Sequence, residues 1–155
     1  LEGKYLWILR ESPIEESSLL WVKVGFQLLL TLPCTVIAGL CISIAFSFSL
    51  RQGAVLLIAT LLFAIGHAVF GMLMGLCFPK LDAVNETVVI KQSMATILAM
   101  FGSMAVLGVT AGFYYLGSKT APWTALALPI GAFALFATVC IVILTRQGPA
   151  LLKKL

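Results

Sequence analysis

FPKLDAVNETVVIKQS, residues 78–93, is the polar stretch that divides this chain, and its reading decides the fold. It holds Lys80, Asp82, Glu86 and Lys91, two of the ten basic and two of the six acidic residues. The sequence on either side is apolar: 61% of all residues are hydrophobic and only 10% are charged. Mean hydropathy is +1.11. A soluble domain is roughly 45–50% apolar and about 25% charged. A water-facing surface for 155 residues cannot be built from so few charges. The composition is that of a membrane protein.

Outward from this stretch, the charges mark the spans. None lies between Lys23 and Arg51, Arg51 and Lys80, Lys91 and Lys119, or Lys119 and Arg146. A bilayer core about 30 Å thick takes roughly 20 helical residues, so each interval holds one helix and none holds two. The spacing predicts an all-α integral membrane protein with spans near 24–49, 54–77, 92–116 and 122–145. Together they make a four-helix transmembrane domain over 24–145, flanked by a cytoplasmic element over 1–23 and a basic tail over 146–155. The short alternating segments of a membrane barrel are absent. Residues 1–23 have no apolar core of the kind a cleavable signal needs, and the chain begins at Leu1 rather than Met. It reads as part of something longer.

Lysine and arginine gather on the cytoplasmic side of short loops. Lys4, Arg10, Lys23, Lys80, Lys91, Arg146, Lys153 and Lys154 fall on one face, leaving only Arg51 and Lys119 for the other. This puts both termini and the 78–93 stretch, with Asp82, Asn85 and Glu86, in the cytoplasm. Asn85-Glu86-Thr87 fits the N-glycosylation pattern. On this topology it stays out of reach of the glycosylation machinery.

Few residues offer chemistry. Cys34, Cys41, Cys77 and Cys140 all fall in predicted spans, without the CxxC or His/Cys spacing of a zinc site. They read as small fillers, and neither a metal nor a cofactor is expected. His67 is the one histidine and the only ionisable residue well inside a span. Such groups are candidates for a substrate or proton path. With no intramembrane carboxylate to pair with, the other reading of His67 is an interhelical hydrogen bond. GFYYLGSKT, residues 112–120, looks like a phosphate-binding loop, but Ser118 displaces Lys119 from register and no strand precedes it. The chain therefore has no nucleotide site of its own, and no nucleic-acid partner is expected. Gly71-x-x-x-Gly75 and Gly108-x-x-x-Gly112 predict close backbone approach, within the bundle or at a dimer contact. Pro33 and Pro129 each remove a backbone hydrogen bond from a span.

The opening, LEGKYLWILRESPIEESSLLWVK, carries two elements. Leu1, Tyr5, Ile8 and Leu9 share one helical face. Lys4, Arg10 and Glu11 fill the other side, and Trp7 lands among them. Ser12-Pro13-Ile14-Glu15 reads as a capping box with Pro13 at the first helical position, starting a second helix that enters the bilayer. The first helix either lies on lipid, anchored by Trp7 and Trp21, or docks a soluble protein through Lys4, Trp7, Arg10 and Glu11.

EGKYLWILRESPIEESSLLWVKVG resembles the segment before the third span in permeases of the ABC-2 exporter family. The likeness lies in Glu2, Gly3 and Lys4, the Tyr5–Leu9 run, Ser12-Pro13-Ile14, and Lys23. PKLDAVNETVVIKQS likewise resembles the cytoplasmic loop after the fourth span in a bacterial branch of ABC exporters, at Pro79-Lys80, Asp82, Asn85-Glu86 and Lys91-Gln92. The resemblance implies the last four spans of a six-span unit in a bacterial cell membrane. Helix 1–11 would be the coupling helix, seated on a separate ABC ATPase subunit, with a second permease unit completing the transporter among membrane lipid. Such a chain would not be an enzyme. Many relatives carry an outer re-entrant hairpin between their last two spans, but here only GSKTAPW is left for it. The competing expectation is a free-standing four-helix protein acting as an oligomeric pore or assembly scaffold.

The topology is checked by single cysteines, Val84→Cys and Ser118→Cys, each in a background without the native thiols. An impermeant reagent should label them from opposite sides of the membrane, whereas labelling of both from outside would reverse the cytoplasmic assignment.

Overall fold

A computed structural model describes residues 15–79 and 93–153. Among these residues there is no strand, and four helices carry the fold: α1 (Glu16–Ala45), α2 (Leu50–Cys77), α3 (Met94–Thr120) and α4 (Pro122–Lys153). All four are long and apolar enough to cross a membrane, which makes the chain a multi-pass membrane protein by length and composition. The reason is the solvent: in lipid a backbone N–H or C=O finds no water, so each segment bonds internally as a helix.

The helix ends differ from the sequence expectation in instructive ways. Glu15 has an extended backbone, φ −59° and ψ 133°, and is itself the N-cap of α1. It therefore cannot be the third helical residue of a box starting at Ser12, and Ser12–Ile14 lie outside the described residues. The helix is in place well before Val24 and stops at Ala45 rather than 49. α2 then begins at Leu50, earlier than expected, because Ser49 and Gln52 form a reciprocal capping box. Gln52 N–H donates to Ser49 Oγ at 3.4 Å, and Ser49 N–H donates to Gln52 Oε1 at 2.9 Å. Ser47 takes a left-handed φ of 51° to turn the chain between them. At the far end α4 continues through Arg146 and Pro149 to Lys153.

α3 and α4 are joined through Ala121 alone, which leaves no room for a re-entrant hairpin between them. Ala121 N–H bonds back to the Gly117 carbonyl at 3.2 Å, and the Thr124 hydroxyl donates to the same carbonyl at 2.8 Å. Gly117 must be glycine for contact reasons. A Cβ there would stand 2.7 Å from the Thr124 carbonyl oxygen and 2.8 Å from the Ala125 nitrogen, both backbone atoms that cannot swing away.

α2 and α4 pack along most of their length and form the centre. α1 lies on α2, α3 lies on α4 with a smaller contact to α2, and α1 and α3 do not meet. The tightest packing joins the start of α1 to the ends of α2 and α4, through Leu20, Val24, Val69, Leu73, Leu76 and Leu144. Gly148 accepts the Leu20 side chain there, since a Cβ at Gly148 would lie 2.8 Å from Leu20 Cδ1. Farther along, Gly66 receives the Phe136 ring and Gly102 the Phe70 ring, with Cβ clearances of only 2.7 and 2.6 Å.

These glycines are not the ones whose spacing drew attention. Gly71, Gly75, Gly108 and Gly112 meet nothing within 4 Å, so the two small-xxx-small pairs make no close contact inside the bundle. The contacts use single glycines opposite large side chains instead of facing pairs of small ones.

Gly117→Ala should therefore destabilise the fold by about 1–3 kcal/mol, the usual cost of overpacking a tight site, while Gly71→Ala should be neutral or slightly stabilising. Thermal unfolding in detergent is the measurement, and equal melting points for the two variants would contradict the turn geometry.

Candidate functional site

Eight residues were singled out by sequence, and the described structure contains one of them. Lys4, Trp7, Arg10 and Glu11, with Asp82, Asn85 and Glu86, lie outside the described residues. His67 is within them, and it makes a polar contact that links two spans deep in the apolar zone.

His67 stands on α2 where α3 crosses it. Its Nδ1 lies 2.6 Å from the Oγ of Ser103 on α3. The Ser103 hydroxyl in turn donates to the Ala99 carbonyl one turn earlier on α3, at 2.7 Å. Ser103 is buried at 7% exposure, while His67 is half-buried. An aromatic pair flanks the ring on one side. Phe63, four residues before His67, stacks along the imidazole with centroids 6.0 Å apart and planes at 19°. Phe133 of α4 tilts against Phe63 at 5.3 Å. Just before His67, Gly66 admits the Phe136 ring of α4, and just before Ser103, Gly102 admits the Phe70 ring of α2. The interhelical hydrogen bond is thus the structural role His67 fills. Its partner could have been sought in the sequence, because an imidazole deep in a span needs a hydroxyl or carboxylate, but the facing register of α2 and α3 was not legible.

Most other span hydroxyls serve their own helices. Thr31, Thr35, Ser43, Thr110 and Thr138 each donate to the carbonyl four residues back, at 2.7–2.9 Å. Bonded this way, they offer little polar lining to a path through the bundle. Grooves open on the surface of the described helices. One of about 370 Å³ between α3 and α4 is lined by residues such as Val106, Val109, Phe113, Leu135 and Val139, and is almost wholly apolar. Another, about 510 Å³, lies beside the α1–α2 turn and mixes Leu40 and Leu57 with Ser43, Ser47 and Ser49.

The described residues contain no group of three or more His, Cys, Asp or Glu side chains placed to hold a metal ion. All four cysteines are free thiols, with Cys140 buried and Cys34, Cys41 and Cys77 exposed on the helix surfaces. The phosphate-loop look-alike is the last part of α3, where Lys119 extends its ammonium over the Tyr115 ring at 4.4 Å instead of into a loop.

Comparison of the chain with models of protein families, with curated proteins and with solved structures gave no match, so its residues and geometry carry the functional reading.

Proposed function

We propose that the chain is the transmembrane permease portion of an ATP-driven ABC exporter, inserted in a bacterial cell membrane with both termini in the cytoplasm. It performs no chemistry itself. Its spans form part of the translocation path, a second permease unit completes that path, and helix 1–11 docks a separate ATPase subunit.

One observation supports this reading above the others. The start of α1 packs against the ends of α2 and α4, with Leu20 against Leu144 and Gly148. Because α3 returns antiparallel to α2, its beginning lies toward the same end. The chain therefore enters α1 and passes from α2 to α3 on one side of the bundle. Those are the two places where the sequence resembles ABC-2 permeases, and an ATPase docked there would reach both. Lys23 and Arg146 belong to that end as well, consistent with a cytoplasmic face.

The pore alternative fits the interior less well. An aqueous pore needs hydroxyls or charges turned inward, whereas here the span hydroxyls are turned back onto their own carbonyls. An exporter of lipid-like or amphipathic cargo makes no such demand.

Trp7 is the sharpest test, being of a residue type enriched at binding hot spots. Truncating a hot spot costs on the order of 2 kcal/mol or more, a loss of about 30-fold in affinity. Trp7→Ala combined with Arg10→Glu should lower recovery of the ATPase in a pull-down from native membranes, with membrane abundance unchanged. Undiminished ATPase recovery, or no ATPase with the unmodified chain, would remove the docking role and favour a lipid-bound helix on a pore or scaffold.

A further inference from the structure

The hydrogen bonds around His67 fix where its proton sits. Ser103 Oγ has one hydrogen and two close neighbours, the Ala99 carbonyl oxygen at 2.7 Å and His67 Nδ1 at 2.6 Å. If that hydrogen went to Nδ1, two oxygen lone pairs would face each other across 2.7 Å. If it goes to Ala99, Nδ1 must carry a hydrogen and donate to Ser103. Only the second arrangement makes both short contacts attractive. A neutral imidazole protonated at Nδ1 has a bare lone pair at Nε2, which can only accept.

Nε2 has no hydrogen-bond partner among the described residues, yet no enclosed side-chain nitrogen or oxygen there is left unsatisfied. The atom is therefore not sealed inside the bundle. The helix geometry gives the reason. Long side chains on a helix lean toward its N-terminus and cover the preceding turn, so the residue placed to cover the imidazole is the one four positions on. That residue is Gly71, which has no side chain and whose Cβ position is open for 4 Å around. Phe63 stacks along a face of the ring and Ser103 holds its Nδ1 side.

We propose that His67 Nε2 is an acceptor site within the membrane for an apolar molecule carrying one O–H or N–H donor, reached across the bare turn at Gly71. The site selects by chemistry. A ligand that can only accept, such as an ether or ester, gains nothing there, whereas a phenol, alcohol or amide exchanges an unpaired donor for a bonded one. In hydrocarbon that exchange counts, because water cannot compete for either partner. The assignment does not rest on the exporter reading and holds equally for a scaffold or a pore.

His67 being the only histidine makes the test direct. The full chain, labelled with nitrogen-15 in its imidazole and held in lipid nanodiscs, should give one ring pair with the protonated signal at Nδ1. Adding para-tert-butylphenol should move the Nε2 resonance upfield in a saturable way, while para-tert-butylanisole, the methyl ether of the same shape, should leave it in place. Gly71→Leu should abolish the phenol response and keep the Nδ1-protonated signal, which reports that the α2–α3 contact is intact. Ser103→Ala should release the tautomer and give signals of both forms. A proton on Nε2 in the unmodified chain, the same shift with phenol and ether, a phenol response that persists in Gly71→Leu, or an Nε2 already bonded to water before any probe is added would each overturn the proposal.

Discussion

Everything in this structure depends on one constraint, that a backbone in lipid must satisfy its own hydrogen bonds. The hydrophobic effect supplies the insertion but cannot arrange the helices, because Leu against Leu and Leu against an acyl chain are nearly equivalent. What arranges them is shape. Gly66 beneath Phe136, Gly102 beneath Phe70, and Gly148 beneath Leu20 are three places where a missing Cβ lets a neighbour approach to distances no other residue allows. They sit on α2, α3 and α4, and they tie the start of α1 to α4 and both α3 and α4 to α2. The bundle is keyed by these few fits. Elsewhere, large residues such as Phe26, Leu29, Phe101 and Tyr115 remain exposed, as suits surfaces bathed in lipid.

The same constraint explains why polar side chains are so quiet. A threonine hydroxyl in hydrocarbon takes the nearest acceptor, the carbonyl four residues back, and stops being available. Thr31 and Thr35 do this on either side of Pro33, where the proline has already cost the helix one N–H. Ser103 does so too, but it alone also meets an imidazole from another helix. Its hydroxyl is thereby both donor and acceptor, and the pair gives α2 and α3, which otherwise touch little, a directional link.

Much of the fold was legible from charge spacing, since helices that must span a bilayer are bounded by the residues that cannot enter it. The number, order and approximate position of the spans follow from Lys23, Arg51, Lys80, Lys91, Lys119 and Arg146. The boundaries were less legible because the interface tolerates helix. Pro149 and Arg146 read as the end of α4 in a sequence, yet the snorkelling of long basic side chains lets a helix outrun the hydrocarbon by several residues. The box Ser49-x-x-Gln52 was readable and outweighed by the apolar run around it. Repeated spacing is a poor guide to close approach, which depends on what stands opposite: Gly66 and Gly102 face large rings, while Gly71 and Gly108 face no neighbour. The candidate site followed the same rule. His67 was visible as an anomaly, and Ser103 became its partner only when α3 crossed α2 at that level.

The position of the best-packed cluster bears on how such a bundle could respond to force. Leu20, Val24, Leu73, Leu76 and Leu144 join three helices at one end, so a push applied just before Glu16 would reach α2 and α4 together. The opposite end is built differently, with a left-handed Ser47 in one turn and Ala121 alone in the other. Short turns restrain α1 against α2 and α3 against α4, but nothing restrains α1 against α3, which do not touch. A change in the angle between the α1–α2 pair and the α3–α4 pair would have to re-seat the α2–α4 centre. Packed interfaces move between discrete arrangements rather than bending smoothly. The ring-under-glycine contacts at Phe136 and Phe70 lie on the surfaces that would have to re-seat. The hydrogen bond from His67 to Ser103 spans the same junction, between α2 of one pair and α3 of the other. Its geometry, short and directional in a medium without competing water, makes it the contact most sensitive to that angle. A donor arriving at Nε2 would polarise the imidazole and strengthen the Nδ1–H bond to Ser103, so occupancy on one side of the ring favours the arrangement in which α2 and α3 stay joined.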